Sequence, residues 1–491
     1  MKKCGLLMPV FSLPSKYSIG SLGKWAYHFV DFLKKSGHSY WQMLPLVQTG
    51  YADSPYATCA DGSGNPYFID LEILRSKRLL TYREVEAAIN KDPYIDYGRL
   101  YTERYPLLRK AFSRFDVTNK TFKAFLQKGE FDDYALFMAL KGKFNCPWND
   151  WPEAYRRRDP AVLEEFAKNN REELLFWQWL QFEFRNQYFE LKKYANSKGI
   201  SIIGDLPLYV SLDSVDVWAA PEEFLLDANY RPTIVAGCPP DYFSRTGQLW
   251  GNPIYNYEHM RTNNFAFWQA RVERASKLYD LIRIDHFRGL DRFWAVPYGD
   301  PTAERGWWVN APGREILANV STQKIIAEDL GMIDDGVRNL MSTYSVPGMK
   351  VLLFAFNGDD SNPYLPWNVN ENSVIYTGTH DNDTIMGTLK GLDKAQVDHW
   401  RTMVKKSVDY LKIYKPMGGL SGIGEAILDV AYGSNAKLCI IPVQDALMVG
   451  SEFRINTPGT TNCWTVRIKE SVFTDTLASS LKRRAKRFDR Y

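Results

Sequence analysis

Leu281-Ile-Arg-Ile-Asp285 is an apolar run that stops abruptly at a carboxylate, and Lys324-Ile-Ile-Ala-Glu328 and Val374-Ile-Tyr-Thr-Gly-Thr-His-Asp381 repeat the design. Runs this dense in β-branched and aliphatic residues, without strict alternation, suit strands buried on both faces of a parallel sheet. Reading outward gives eight such runs: Cys4 to Val10, Tyr40 to Leu46, Ile200 to Pro207, Leu281 to Phe287, Lys324 to Glu328, Lys350 to Phe356, Val374 to Thr379 and Cys439 to Asp445. Stretches of helical periodicity separate most of them. The pattern predicts an α/β fold, a (β/α)8 TIM barrel, in which groups at the C-terminal strand ends face one cleft. Asp285, Glu328 and Asp381 are therefore expected to converge.

The spacing between runs is uneven. About 150 residues separate the second run from the third, far more than a crossover helix needs, which predicts an inserted helical subdomain over 72–199. Thr81-Tyr-Arg-Glu84 is a capping-box pattern. Phe176, Leu180, Phe184, Tyr188, Leu191 and Ala195 recur at helical spacing until Gly199, as one packed helix face. A second insertion, 211–270, is rich in Pro, Gly, Tyr and Trp and poor in helical period, and reads as ordered loops over the cleft. The whole chain, 1–491, is expected to form one catalytic barrel carrying these insertions. Only about 46 residues follow Asp445, too few for a C-terminal β-domain.

With 61 Lys+Arg against 57 Asp+Glu the net charge is +4, and the one basic run, Lys482-Arg-Arg-Ala-Lys-Arg487, reads as a solvated helix end. No nucleic-acid partner is expected. The six cysteines lack any C-x-x-C pairing, which argues for a reducing cytoplasm and against structural zinc. The N-terminal apolar stretch is broken by Pro9 and has no small-residue cleavage site, and no run of about 20 apolar residues predicts a membrane span. Neither a dinucleotide fingerprint nor a phosphate-binding loop occurs, so no cofactor is expected. Oligomeric state, monomer or homodimer, is left open.

Splitting an acetal between sugars needs a proton for the leaving oxygen and a carboxylate against the anomeric carbon. Asp285 suits the nucleophile, because Arg283 projects to the same side of the strand and keeps the aspartate ionised. Glu328 suits the acid/base, since its apolar neighbours Ile325, Ile326 and Ala327 raise a carboxyl pKa. Asp381 would hold sugar hydroxyls or the developing positive charge, with His286 and His380 beside the acids. One strand-end acid is usually a cap or an ion-pair member; three with flanking His and Arg point to chemistry. Two other classes compete. A metal-dependent amidohydrolase-type barrel could use His380, Asp383 and Asp445, but it wants a His-x-His pair that the first strand lacks. A non-enzymatic glucan binder would explain the aromatic residues but not the three acids.

Longer strings carry more. They are Asp53-Ser-Pro-Tyr56 with Gly64-Asn-Pro-Tyr67, Gly204-Asp-Leu-Pro-Leu-Tyr-Val210, Gly237-Cys-Pro-Pro-Asp-Tyr-Phe-Ser244, Gly247-Gln-Leu-Trp-Gly-Asn-Pro253, Arg283-Ile-Asp-His-Phe-Arg-Gly289, Ala327-Glu-Asp-Leu-Gly331 and Gly378-Thr-His-Asp-Asn-Asp-Thr384. In this order they resemble the 4-alpha-glucanotransferases, amylomaltases or disproportionating enzymes, of glycoside hydrolase family 77 in the alpha-amylase clan. The resemblance implies transfer between alpha-1,4-glucans and malto-oligosaccharides, with Asp285 as nucleophile, Glu328 as acid/base and Asp381 as transition-state stabiliser. It also implies that Ser54, Tyr56, Asp241, Tyr242, Gln248, Trp250, Arg283, His286 and His380 bind substrate. For Tyr56 and Trp250 there is an independent reason, because sugar C–H faces stack on aromatic rings. A hydrolase of the same clan would use the same acids. One departure is that Asn462-Cys463-Trp464 puts Cys463 where the family commonly has Asn before Trp, so Cys463 is left out of the site.

Overall fold

The computed structural model describes residues 2–90, 92–240, 244–414 and 416–491, apart from the side chain of Tyr51. Among the described residues eight parallel strands close into a barrel: β1 (Lys3–Leu7), β2 (Tyr40–Gln42), β3 (Ser201–Leu206), β4 (Leu281–Ile284), β5 (Ile325–Ala327), β6 (Gly348–Val351), β7 (Ser373–Tyr376) and β8 (Leu438–Pro442). Consecutive strands are neighbours, and β8 closes on β1 in the register Cys4↔Cys439 and Leu6↔Ile441. Nearly every strand residue is buried, as expected where helices cover the outside and side chains fill the inside. All eight predicted runs are strands, but shorter than the apolar stretches. The runs from Leu281, Lys350 and Cys439 continue past their strands into tight turns at Phe287–Leu290 and Leu352–Phe354 and a one-turn helix at Val443–Ala446, whose apolar residues pack on the barrel rim.

Between β2 and β3 stand several helices, dominated by Arg171–Ser197 packed against Asp132–Phe144. Phe176, Leu180, Phe184, Tyr188, Leu191 and Ala195 all lie buried along one face of the longer helix, and truncating one of its Phe residues to Ala would cost roughly 3–5 kcal/mol. Thr81 and Glu84 form the reciprocal capping box. The long helix also steadies the segment that follows β2. The Gln181 side-chain amide exchanges two hydrogen bonds with the Gly64 backbone (2.6 and 3.0 Å), and Gln187 accepts from the Asp70 N–H at 2.7 Å.

The stretch 211–270 departs from the loop expectation. Ile234–Cys238 and Gln248–Pro253 pair antiparallel, and with Arg292–Pro297 and Trp307–Asn310 they build a second, four-stranded sheet. Helices Tyr257–Thr262 and Ala266–Leu278 complete the stretch and lead into β4. The strands are short, interrupted by Gly and Pro, and two of them come from beyond residue 270. Beyond the one-turn helix Val443–Ala446 the described chain forms 3-10 turns and one long helix, Asp475–Arg487, which packs on helix Lys24–Lys35. The basic run 482–487 lies in this last helix, with Arg484 ion-paired to Asp429. No helix among the described residues is long and apolar enough to cross a membrane.

Candidate active site

Asp285 and Glu328 each stand one residue beyond a strand, β4 and β5, and the backbone binds these strand ends together. The Asp285 N–H donates to Leu206 O of β3, Glu328 N–H to Ile284 O, and Phe287 N–H to Glu328 O, at 3.0, 3.0 and 3.1 Å. Between the two acids, His286 takes the left-handed conformation (φ 49°, ψ 47°), which costs a non-glycine residue on the order of 1 kcal/mol. The turn aims the His286 N–H at Glu328 Oε2 (2.7 Å), while the Leu330 N–H donates to Oε1 (2.8 Å). The Glu328 carboxyl is thus fixed from both sides.

The two acids have different surroundings. Burial pushes Glu328 up to about 8 against the pull of Arg283, and the neighbouring Asp285 charge adds to the rise. Asp285 instead faces Arg283 on the same strand, whose Nη2 lies 2.8 Å from Asp285 Oδ1. Arg283 is buried, yet Asp205 and Asp285 outweigh that desolvation and hold its pKa well above the ordinary range. Its Nη1 also donates to both oxygens of Asp205, at 2.8 and 2.7 Å. One planar guanidinium therefore bridges two carboxylates, which a lysine cannot reproduce.

Asp205, at the end of β3, was not among the predicted site residues. Its signal was present, because Ile202-Ile203-Gly204-Asp205 has the same apolar-to-acid form as the other three. Gly204 beside it is required by close approach, since a Cβ there would meet the Tyr279 ring at 2.1 Å. Asp205 accepts from the Tyr56 hydroxyl at 2.7 Å, which delivers Tyr56 to the cleft. Ser54 shapes this turn, its Oγ accepting from the Tyr56 N–H at 3.2 Å. The Tyr56 ring stacks on His380 (5.2 Å, 10°), and Trp464 lies 5.8 and 5.9 Å from the two.

Asp381 sits in the loop after β7, with His380 Nε2 at 3.4 Å from its Oδ2. Two further residues, also missed from sequence, hold it. Asn456 Nδ2 donates to Asp381 Oδ1 at 2.5 Å and Arg454 donates to the Asp381 carbonyl at 2.8 Å. No periodicity marks a contact between residues 75 positions apart in an irregular segment. Cys463 closes that segment, its Sγ accepting from the Thr457 N–H at 3.2 Å. Its thiol serves the loop's own turn.

On the opposite side Trp250, from the edge strand Gln248–Pro253, meets the His286 ring edge-on at 4.6 Å and donates from Nε1 to Gln248 Oε1 at 3.2 Å. Burial lowers His286 to about 4, so its imidazole is neutral near pH 7. Asp241 and Tyr242 lie outside the described residues. Among the described residues no three His, Cys, Asp or Glu side chains group as a metal site. Asp445 is engaged by Thr377 and Ile385.

A parallel barrel whose strand ends carry a buried carboxyl raised by desolvation beside a carboxylate paired with arginine, between aromatic platforms, belongs to the class of carbohydrate-active barrel enzymes. The model of glycoside hydrolase family 77, 4-alpha-glucanotransferase, matches residues 8–473, and the chain belongs to that family. A 4-alpha-glucanotransferase of Clostridium butyricum is 44% identical over 490 residues, covering 97% of this chain and 98% of that protein. One of Thermus thermophilus is 42% identical over 474 residues, covering 93% and 92%. A solved amylomaltase from Streptococcus agalactiae, in complex with acarbose, superposes with a TM-score of 0.93 at 35% identity, covering all of both chains.

Proposed function

We propose that this 4-alpha-glucanotransferase moves a segment of an alpha-1,4-glucan to the 4-hydroxyl of another glucan or of glucose by a retaining double displacement through a covalent glucosyl-Asp285. One observation carries the reading: adjoining strand ends hold a carboxyl raised to about 8 beside a carboxylate paired with a buried arginine. Such a pair divides the work between an acid and a nucleophile.

In the first step Glu328 gives its proton to the glycosidic oxygen while an Asp285 oxygen attacks the anomeric carbon. The C–O bond to the leaving chain breaks, and a glucosyl ester to Asp285 forms. Glu328, now ionised, takes the proton of the entering 4-hydroxyl, whose oxygen displaces Asp285 and restores both groups. Asp381, oriented by Asn456, faces the positive charge that develops at the sugar in both steps. Neutral His286 and the Tyr56–His380 stack offer hydrogen bonds and a flat surface to the sugar. The acarbose held by the Streptococcus agalactiae relative supports a cleft of this shape here. Transfer exceeds hydrolysis where water is a poorer acceptor than sugar. Trp250, standing over His286, is placed to exclude water and seat an acceptor ring. Six free cysteines fit the reducing compartment expected from sequence.

Maltotriose incubated with the purified enzyme, with products separated by chain length and free glucose assayed, tests the reading. A ladder of longer oligosaccharides with glucose released is expected. Glucose and maltose with nothing longer would overturn it in favour of a hydrolase.

A further inference from the structure

The loop that carries His380 and Asp381 leaves the barrel at Thr377 and rejoins regular structure at Ile385, the first residue of helix Ile385–Gly391. Both ends are fastened to one side chain. The Thr377 hydroxyl donates to Asp445 Oδ2 at 2.5 Å, and the Ile385 N–H donates to Asp445 Oδ1 at 2.7 Å. Asp445 lies just beyond β8 and is buried, as are Thr377 and Ile385. A cavity no larger than a water touches the loop, lined by Thr379, His380, Asp383, Gln444, Asp445 and Arg454 among others, and neither amide atom of buried Gln444 has a protein partner. A loop nine residues long, from 377 to 385, whose ends are pinned to a common carboxylate has little freedom to displace its middle.

We propose that Asp445 is a positioning residue, a clamp at the end of β8 that sets Asp381 at the distance the sugar's developing charge requires. Asp445 does not touch substrate; it acts through the Thr377–Ile385 loop. The inference rests on the proposed role of Asp381, and a misplacement of about 1 Å is enough to lower a rate a hundredfold. Asparagine can keep both bonds, its amide oxygen accepting from Ile385 and its NH2 donating to the Thr377 oxygen. Alanine keeps neither.

The test compares Asp445→Ala, Asp445→Asn, Thr377→Val and Asp381→Asn in maltotriose transfer, with circular dichroism and melting temperature as controls. For Asp445→Ala, kcat is expected to fall roughly thirtyfold or more while KM moves less than about threefold, and Asp445→Asn to recover most of the loss. In the Asp381→Asn background, Asp445→Ala should cost nothing further, since the clamp acts through Asp381. Should Asp445→Ala fail to fold, Thr377→Val carries the test, with kcat expected to fall about fivefold or more in the wild-type background and not in Asp381→Asn. An unchanged kcat in the clamp variants, or a loss that multiplies with Asp381→Asn, overturns the clamp. An Asp381→Asn enzyme of full activity would instead sink the role of Asp381 itself.

Discussion

Replacing Glu328 by Gln should favour the fold, relative to the wild type, progressively more as pH rises, and least in acid. Glu328 moves from the ordinary 4.5 of a free carboxyl to about 8 in the folded protein, chiefly through burial. At 1.36 kcal/mol per unit this penalises the ionised form by at most about 5 kcal/mol, and by about 3 allowing for partial solvent access. Below about pH 4.5 both folded and unfolded chains hold the proton and the penalty is absent. As pH rises from 4.5 to 8 the unfolded chain ionises first, so the wild type loses stability progressively; above 8 the loss is complete. Glutamine never ionises and escapes it. The substitution also sets an NH2 against one of the backbone N–H donors of His286 and Leu330, at a cost of about 1–3 kcal/mol that does not vary with pH. Differencing removes that constant. A chain of 491 residues shifts its melting temperature by about 1 °C per kcal/mol. The melting difference, Gln variant minus wild type, should therefore grow by roughly 3 °C between pH 4.5 and pH 8.5 when followed by scanning fluorimetry. A difference that is flat across this range, or that shrinks, would refute the burial of a reluctant acid beside Asp285.

Transfer should follow the same group. In the proposed mechanism Glu328 begins protonated to release the leaving chain, so kcat/KM for maltotriose is expected to fall as pH rises through about 8, with the limb absent for a donor such as a glycosyl fluoride that needs no proton. Arg283→Lys removes the fork shared by Asp205 and Asp285 and should cost a factor of about a thousand in kcat/KM, measured by glucose release. Asn456→Ala leaves Asp381 without its hydrogen bond; at about 1.5–3 kcal/mol for a bond to a charged group, kcat should drop roughly ten- to a hundredfold with the melting temperature nearly unchanged. Tyr56→Phe keeps the stack on His380 but strips the bond to Asp205, and a loss of about three- to tenfold in kcat/KM is expected from steady-state kinetics.

The barrel was legible because parallel strands buried on both faces are apolar nearly throughout and end where the cleft begins, which is why Ile284 and Ala327 are each followed directly by an acid. The long helix Arg171–Ser197 was legible from the spacing of Phe176 through Ala195. Three things were not. The four-stranded sheet joins residues 234–253 to 292–310, and such short strands interrupted by Gly and Pro carry no regular period. Asp205 had the apolar-to-acid signal of its neighbours, but the bonds to Arg283 and Tyr56 that tie it to Asp285 left no mark in the sequence. Asn456 and Asp445 matter through contacts with the Asp381 loop made from segments distant in sequence, and a linear pattern holds no trace of that.

The proposed double displacement passes through a covalent glucosyl-Asp285. A 5-fluoro glycosyl fluoride donor, incubated with the enzyme and quenched in acid, should leave one glycosyl adduct on the proteolytic peptide that contains Asp285, found by tandem mass spectrometry and missing from Asp285→Asn. An adduct on any other carboxylate, or turnover of the donor with inversion at the anomeric carbon, would contradict it.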